Sequence, residues 1–339
     1  WQVHGMSPEH TEDIIPKLRE FVERNSNVVD LQWDPRIPPK LLIHPWSKNY
    51  ESKKELAHYF LLVASVDETR VIGRAENARC LMVELHKKFR KKLFEIFEPE
   101  KFVEEVINCK RYEEHGPLKN QIPHVLASVN EFVTEKARGN LIEYSKCFSQ
   151  PKDMVEEIGR YVKRMGGPIK KKAWLYMRWM VRPRPDLRIF DHFSPRDLFI
   201  PLTSDIKRVA ISLGLIENVK GPRWERWEEV ERVTEFARRL FPDDPVKVDY
   251  PLFLIGRWLE GKTLNRQTLM DTLKRFDDFY EKTRCSILVK KTHTGYSAEC
   301  PMLPGCITEA DTESEVLLKM ENAIAAYRES AKKYGFEVE

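Results

Sequence analysis

Apolar residues recur at three- and four-residue spacings along most of the chain, the period of helices with one buried face. Over 52–66, SKKELAHYFLLVASV, this places Leu56, Tyr59, Phe60 and Val63 on one side. Over 76–97 the series is Ala78, Leu81, Leu85, Phe89 and Leu93, and further helices are predicted over 99–109 and 122–136. The stretch 225–241 turns Trp227, Val230, Val233, Phe236, Ala237 and Leu240 inward and charged residues outward. Prolines at 183, 185, 195, 201, 222, 242, 245 and 251 limit helix length, which predicts irregularly packed helices rather than a coiled coil.

The period changes after residue 282. CSILVKK and GYSAECP predict two short strands joined by Thr292-His293-Thr294-Gly295, with LPGC as a second turn. Asp311 to Glu315 then supplies an N-cap and early acids for a last helix. The expected fold is a mainly α-helical domain, residues 6–281, followed by a small β-β-α module, residues 282–339. A module of about 55 residues buries little surface alone and is expected to lean on the main domain or on another copy.

Composition narrows the class. The chain has 339 residues, 42% apolar and 32% charged, and a net charge of +4. No run reaches the ~20 apolar residues of a membrane span. WQVHGMSPEHTEDII has no apolar central stretch, so no signal peptide is expected there, and Trp1–Gly5 are given no role. None of the six cysteines forms a C-x-x-C pair or a zinc-spaced cluster, which predicts a reduced, cytoplasmic protein without a metal. Cys300 and Cys306 are close enough in sequence to pair, but are read as buried thiols. Many charges and only five glutamines fit a heat-adapted source.

Charge is concentrated in one place. Residues 160–188 hold ten basic residues against Asp186 alone, a local net charge of +9 that points to a polyanion. Within this stretch, GGPIKKKAWLYMRWMV (166–181) opens on a tight turn, passes three lysines and becomes an aromatic helix. A lysine beside buried aromatics meets a low-dielectric neighbour that favours its neutral, nucleophilic form. Lys171 is the candidate nucleophile, with Lys53 and Lys54 as rivals. Lys170, Lys172, Arg178, Lys207 and Arg208 are candidate phosphate contacts, and Trp174, Asp249 and Phe253 candidate pocket residues. Trp174, Tyr176 and Trp179 read more readily as core than as platforms for stacked bases. His44, His58, His115, His124 and His192 are scattered and carry no role.

The order of GGPIKKKAWLYMRWMV, FIPLTSDIKRVAISLGLI (199–216) and DPVKVDYPLFLIGRWLEG (244–261) resembles the helix–hairpin–helix DNA glycosylases, most of all the archaeal 8-oxoguanine DNA glycosylases. The resemblance implies Lys171 at the catalytic lysine position and Arg178 at a basic position seven residues on. Pro201, Arg208, Gly214, Leu215 and Ile216 fall on the second motif, and Asp249, Leu252, Phe253, Leu254, Gly256 and Arg257 on the third. Thr203 stands where the family has its catalytic aspartate, and Asp205 follows two residues later. In a helix capped by Thr203, Asp205 points about 200° away from that position; it reads as a dipole-complementing charge or as a relocated catalytic acid. Losing the carboxylate harms base excision more than lysine chemistry. The implied function is therefore an AP lyase on abasic DNA through a Schiff base, with base excision as an added activity and no cofactor. The rival reading is a non-catalytic nucleic-acid-binding regulator related to antitoxins.

The segment 285–327, with Gly-Tyr-x-Ala, Pro-x-Leu-Pro-Gly-Cys and an acidic-Thr-x-x-Glu helix start, resembles HicB-type antitoxin domains. That resemblance implies a small α/β fold that binds partners or self-associates, rather than a catalytic unit.

Overall fold

The computed structural model describes residues 14–26, 50–67, 119–218, 225–300, 302–303 and 305–334. The helices expected over 76–97 and 99–109 lie outside the described residues, as do His44, His115, Cys80 and Cys109. The described helices of the main region are α1 (Ile14–Asn25), α2 (Tyr50–Val66), α3 (Ile122–Glu131), α4 (Leu141–Ser145), α5 (Pro151–Tyr161), α6 (Lys171–Val181), α7 (Ser204–Ser212), α8 (Trp227–Leu240), α9 (Asp249–Trp258) and α10 (Arg266–Thr283). Their starts follow local chemistry. Asn140 accepts from the amides of Ile142 and Glu143, Asn265 from Thr268, and Thr203 from Ile206, each satisfying amides that the first helical turn leaves without partners. The helix expected to 136 continues from α3 as a widened turn, Phe132–Lys136, that ends at Arg138 and Gly139, both with positive φ.

The core is one apolar cluster. Helix α2 packs on α3, α4 and α6, while α1 packs on α9 and α10. Leu56, Phe60 and Val63 are buried in α2, as expected, and Val230, Val233, Ala237 and Leu240 are buried in α8. Trp174, Tyr176 and Trp179 are all buried to within 1%. The Tyr176 hydroxyl donates to the Ala57 carbonyl at 3.1 Å, and Trp179 meets Phe60 edge to face. The aromatic run of α6 is therefore core, facing several directions.

Two glycines set the geometry of the lysine segment and its neighbour. A Cβ on Gly166 would lie 2.2 Å from the Gly159 carbonyl oxygen of α5, so the turn into α6 closes against backbone. A Cβ on Gly256 would lie 2.1 Å from the Asp205 carbonyl oxygen, so α7 and α9 cross in backbone contact. Only glycine permits such approach.

The C-terminal module differs in one element from the expected β-β-α unit. Its strands are β1 (Leu288–Lys291), β2 (Tyr296–Glu299) and β3 (Ile307–Ala310), followed by α11 (Glu313–Tyr334). The sheet is antiparallel in the order β1-β2-β3, with Val289 opposite Ala298 and Ala298 opposite Thr308. The third strand was missed because Ile307–Ala310 holds no buried residue and so carries no apolar run. The module leans on the main region, as its size requires: β1 packs on α9 and α10 on α11. Ser286 donates to Asn25, and Glu313 takes Arg275 at 2.6 Å and Lys262 at 3.3 Å.

Candidate functional site

The three consecutive lysines at the start of α6 go to three different places. Lys170 is the N-cap, in the left-handed conformation at φ 43°. Its stem crosses Gly159 and its amine meets Glu156 at 3.1 Å. Lys172 is buried and donates to the Ser65 carbonyl at 2.8 Å. Lys171 stays part-exposed, at 38% of its side chain, with its amine 3.5 Å from a Glu225 carboxylate oxygen. Lys170 is less exposed, at 23% of its side chain, and Lys172 is buried, so Lys171 is the most reachable of the three amines.

An aromatic cluster forms beside it. Trp174, one turn along α6, stacks with Trp227 at 6.3 Å and meets Phe199 at 5.1 Å. Phe199 and Trp227 are 5.0 Å apart and only half-buried. The exposed Lys152 places its amine 5.3 Å above the Trp227 ring, and Arg238 lies 5.0 Å from the Phe199 ring. Glu225, Lys152, Phe199 and Arg238 were missed as site residues, and Trp227 was read simply as core. Periodicity places Trp227 correctly on the inner side of α8, but only the fold brings it against Trp174 and Phe199 and beneath the Lys152 amine. Glu225 lies in no motif, and its approach to Lys171 spans 54 positions of sequence.

Several expected phosphate contacts face inward. Arg178 is buried, with Nη1 on Asp249 and Nη2 3.6 Å from Asp186. Arg182 extends the network to Asp186 at 2.6 Å and Asp244 at 2.9 Å. Lys207 is buried on Glu229 at 2.6 Å. Arg208 is half-buried between Asp205 and Glu260, and Arg188 donates to the carbonyls of Val181, Phe193 and Asp191. Part of the +9 excess of residues 160–188 is thus taken up inside the protein, where Lys172, Arg178 and Arg182 are buried. It binds carboxylates from distant segments and the carbonyls of the proline-rich connection, which is why net charge along the sequence overstated the basic surface. Lys163 and Arg160 stay exposed.

Asp205 also differs from the expected catalytic acid. Thr203 caps α7, and Asp205 is buried in its first turn between Arg208 and Arg257. Burial pushes its carboxyl above the usual range, while Arg257 and Arg208 pull it down. The acid at Lys171 is Glu225 instead. Asp249 opens α9 and is committed to Arg178, and Phe253 is half-buried, stacked on Tyr250 at 5.9 Å. Lys53 and Lys54 are half-buried in α2. Among the described residues, no group of three or more His, Cys, Asp or Glu is placed to hold a metal, and no helix is long and apolar enough to cross a membrane.

Comparison with known proteins corrects the expected glycosylase relationship. The family model that matches the main region, over residues 53–257, is that of a family without assigned function, and it takes in the lysine segment and the motif after it. No solved structure matches the chain. A stretch of 54 residues is 37% identical to the UPF0150 protein Ta0767 of Thermoplasma acidophilum, covering 16% of this chain and 78% of that protein. With more than half of its length matched, the chain belongs to the family described as Protein of unknown function (DUF2400).

Proposed function

We propose that the protein is a lyase that opens abasic sites in DNA through an imine on Lys171. The observation that supports this reading is the pairing of a reachable amine with a single carboxylate, Lys171 with Glu225 at 3.5 Å, beside a half-exposed aromatic surface. The proposal rests on these residues and not on family relationship.

The chemistry needs an amine, a proton carrier and an anchor for the strand. Glu225 takes a proton from the Lys171 ammonium. The neutral amine attacks the C1′ aldehyde of the abasic sugar. Glu225 returns the proton to the carbinolamine hydroxyl, which leaves as water and gives an iminium. The carboxylate, again charged, takes the C2′ proton, and the 3′ phosphate departs by β-elimination. Hydrolysis of the imine frees the lysine. Phe199 and Trp227 offer an apolar ledge for the baseless sugar and its neighbours, and Lys152 and Arg238 supply positive charge at its rim. Asp205 has no part, and base excision is not proposed. A reducing, cytoplasmic setting fits the free thiols of Cys147, Cys285, Cys300 and Cys306.

The test is borohydride trapping on an abasic duplex. Wild-type protein should give a covalent protein–DNA adduct, and Lys171→Ala should give none. Glu225→Gln should still form the adduct but cleave the strand about 10²-fold more slowly, the lower end of a general acid–base contribution. An adduct that survives Lys171→Ala, or wild-type protein that binds the duplex in a salt-dependent way without any adduct, defeats the proposal. The latter result favours the non-catalytic regulator, which the likeness to a UPF0150 protein also fits.

A further inference from the structure

Two helix ends meet at a surface that holds cations without acid partners. Helix α3 runs on through Phe132–Lys136 to Arg138, and α5 stops at Tyr161. Buried Phe132 stacks on the Tyr161 ring at 6.2 Å, and the Lys163 amide donates to the Ser128 hydroxyl at 2.9 Å. The turn after α5 is thereby seated on α3. Tyr161 is 38% exposed, and the Lys136 amine lies 4.2 Å from its ring centroid. A ring face holds an ammonium in place without neutralising it. Lys136, Arg138, Arg160 and Lys163 are all exposed. Glu157 takes Arg160 at 2.6 Å, and Glu131 and Glu135 are exposed on the first of the two segments. Among the described residues, no carboxylate forms an ion pair with Lys136, Arg138 or Lys163. Unlike Arg178, Arg182 and Lys207, these cations keep their charge for a partner outside the chain. From Ile158 to Lys172 the sequence has no acid, so the edge that leads from this surface to Lys171 adds none of its own. Lys163 stands eight residues before Lys171, a distance of at most about 29 Å even for extended chain. One turn of duplex DNA is about 34 Å long, so a single duplex can reach both.

We infer that Lys136, Arg138 and Lys163 form a second DNA contact, taking backbone phosphates within one turn of the nucleotide at Lys171, with Tyr161 holding the Lys136 amine outward. The choice of DNA as the polyanion rests on the function proposed for Lys171. Phosphate contacts position a strand and carry no sequence information, so this surface engages damaged and undamaged duplex alike and anchors the strand before any chemistry.

The test measures binding of a fluorescein-labelled, lesion-free duplex to the full chain by anisotropy, from about 50 to 200 mM sodium chloride. Each phosphate contact contributes about 0.9 to the slope of log affinity against log salt. Lys136→Ala combined with Lys163→Ala should therefore reduce the slope by about 1.8, and the same rise in salt should cost this variant about 12-fold less affinity than it costs wild type. Lys274→Ala combined with Lys291→Ala removes the same charge from exposed positions on α10 and β1 and should leave the slope unchanged. All four side chains are exposed, and circular dichroism checks that helix content is kept. The lesion-free duplex separates this inference from the lyase reading. A reduced slope without a borohydride adduct keeps the surface and removes the lyase, and an adduct with an unchanged slope does the reverse. Equal slopes for wild type and the Lys136/Lys163 variant, an equal loss in the Lys274/Lys291 variant, tighter binding to duplex RNA of the same sequence, or binding to phosphatidylserine vesicles but not to duplex each overturns the inference.

Discussion

Arg178→Met should lower the unfolding free energy by about 3–5 kcal/mol, the cost of removing one partner from a buried ion pair. Arg178 is buried on α6 and joins two carboxylates from other parts of the chain: Asp249, at the start of α9, and Asp186. Arg182 shares Asp186, at 2.6 Å, and reaches Asp244. Without the Arg178 guanidinium, Asp249 stays buried with that counter-charge gone, and Asp186 loses one of its own. Urea unfolding measures the loss as a lower midpoint at unchanged slope. Arg178→Met combined with Asp249→Leu should cost less than the two single changes added, since the double variant leaves no carboxylate at position 249. A loss below about 1 kcal/mol for Arg178→Met would mean that water reaches this network.

Acid should destabilise the protein through His58. This histidine is 3% exposed on α2, and burial, with Lys54 one turn earlier, lowers it from 6.5 to about 3. The folded protein therefore keeps His58 neutral where the unfolded chain protonates it. The resulting stability is fully present above pH 6.5 and is lost as pH falls toward about 3. At 1.36 kcal/mol per unit, the whole span is on the order of 4–5 kcal/mol. His58→Gln should flatten stability against pH between 6.5 and 5, above the range in which ordinary carboxylates titrate. Identical slopes for wild type and His58→Gln in that interval would refute this source of acid sensitivity.

Local pattern revealed the helices because burial on one face writes a period into the sequence. Val230, Val233, Ala237 and Leu240 are found where that period puts them, and the glycines of the 166–167 turn mark the entry to α6. Exposed Ile307–Ala310 lacked such a period and was passed over. The site was less legible. Spacing identified Lys171 as a helix-start lysine, but the sequence cannot say that Lys172 turns inward to Ser65 across 107 positions, or that Lys207 finds Glu229. Counting charge along a segment assumes that each charge faces water. Here Arg178, Arg182 and Lys207 meet acids brought from elsewhere by the fold. Glu225 and Lys152 became visible only once α5, α6 and α8 were assembled around them.

The clamp that Arg328 makes on Thr283 and Cys285, together with the bond between Ser286 and Asn25, fastens the last helix to the end of α10 and to α1 at once. Unfastening the module would uncover the apolar side of β1 and the part of α9 it covers, so neither part can come apart cheaply while the other stays intact. Heating should accordingly produce one calorimetric transition spanning both, and deletion from residue 285 onward should lower the melting temperature of what remains rather than release an independently stable helical body. A second, separate transition would show that the appendage is merely tethered.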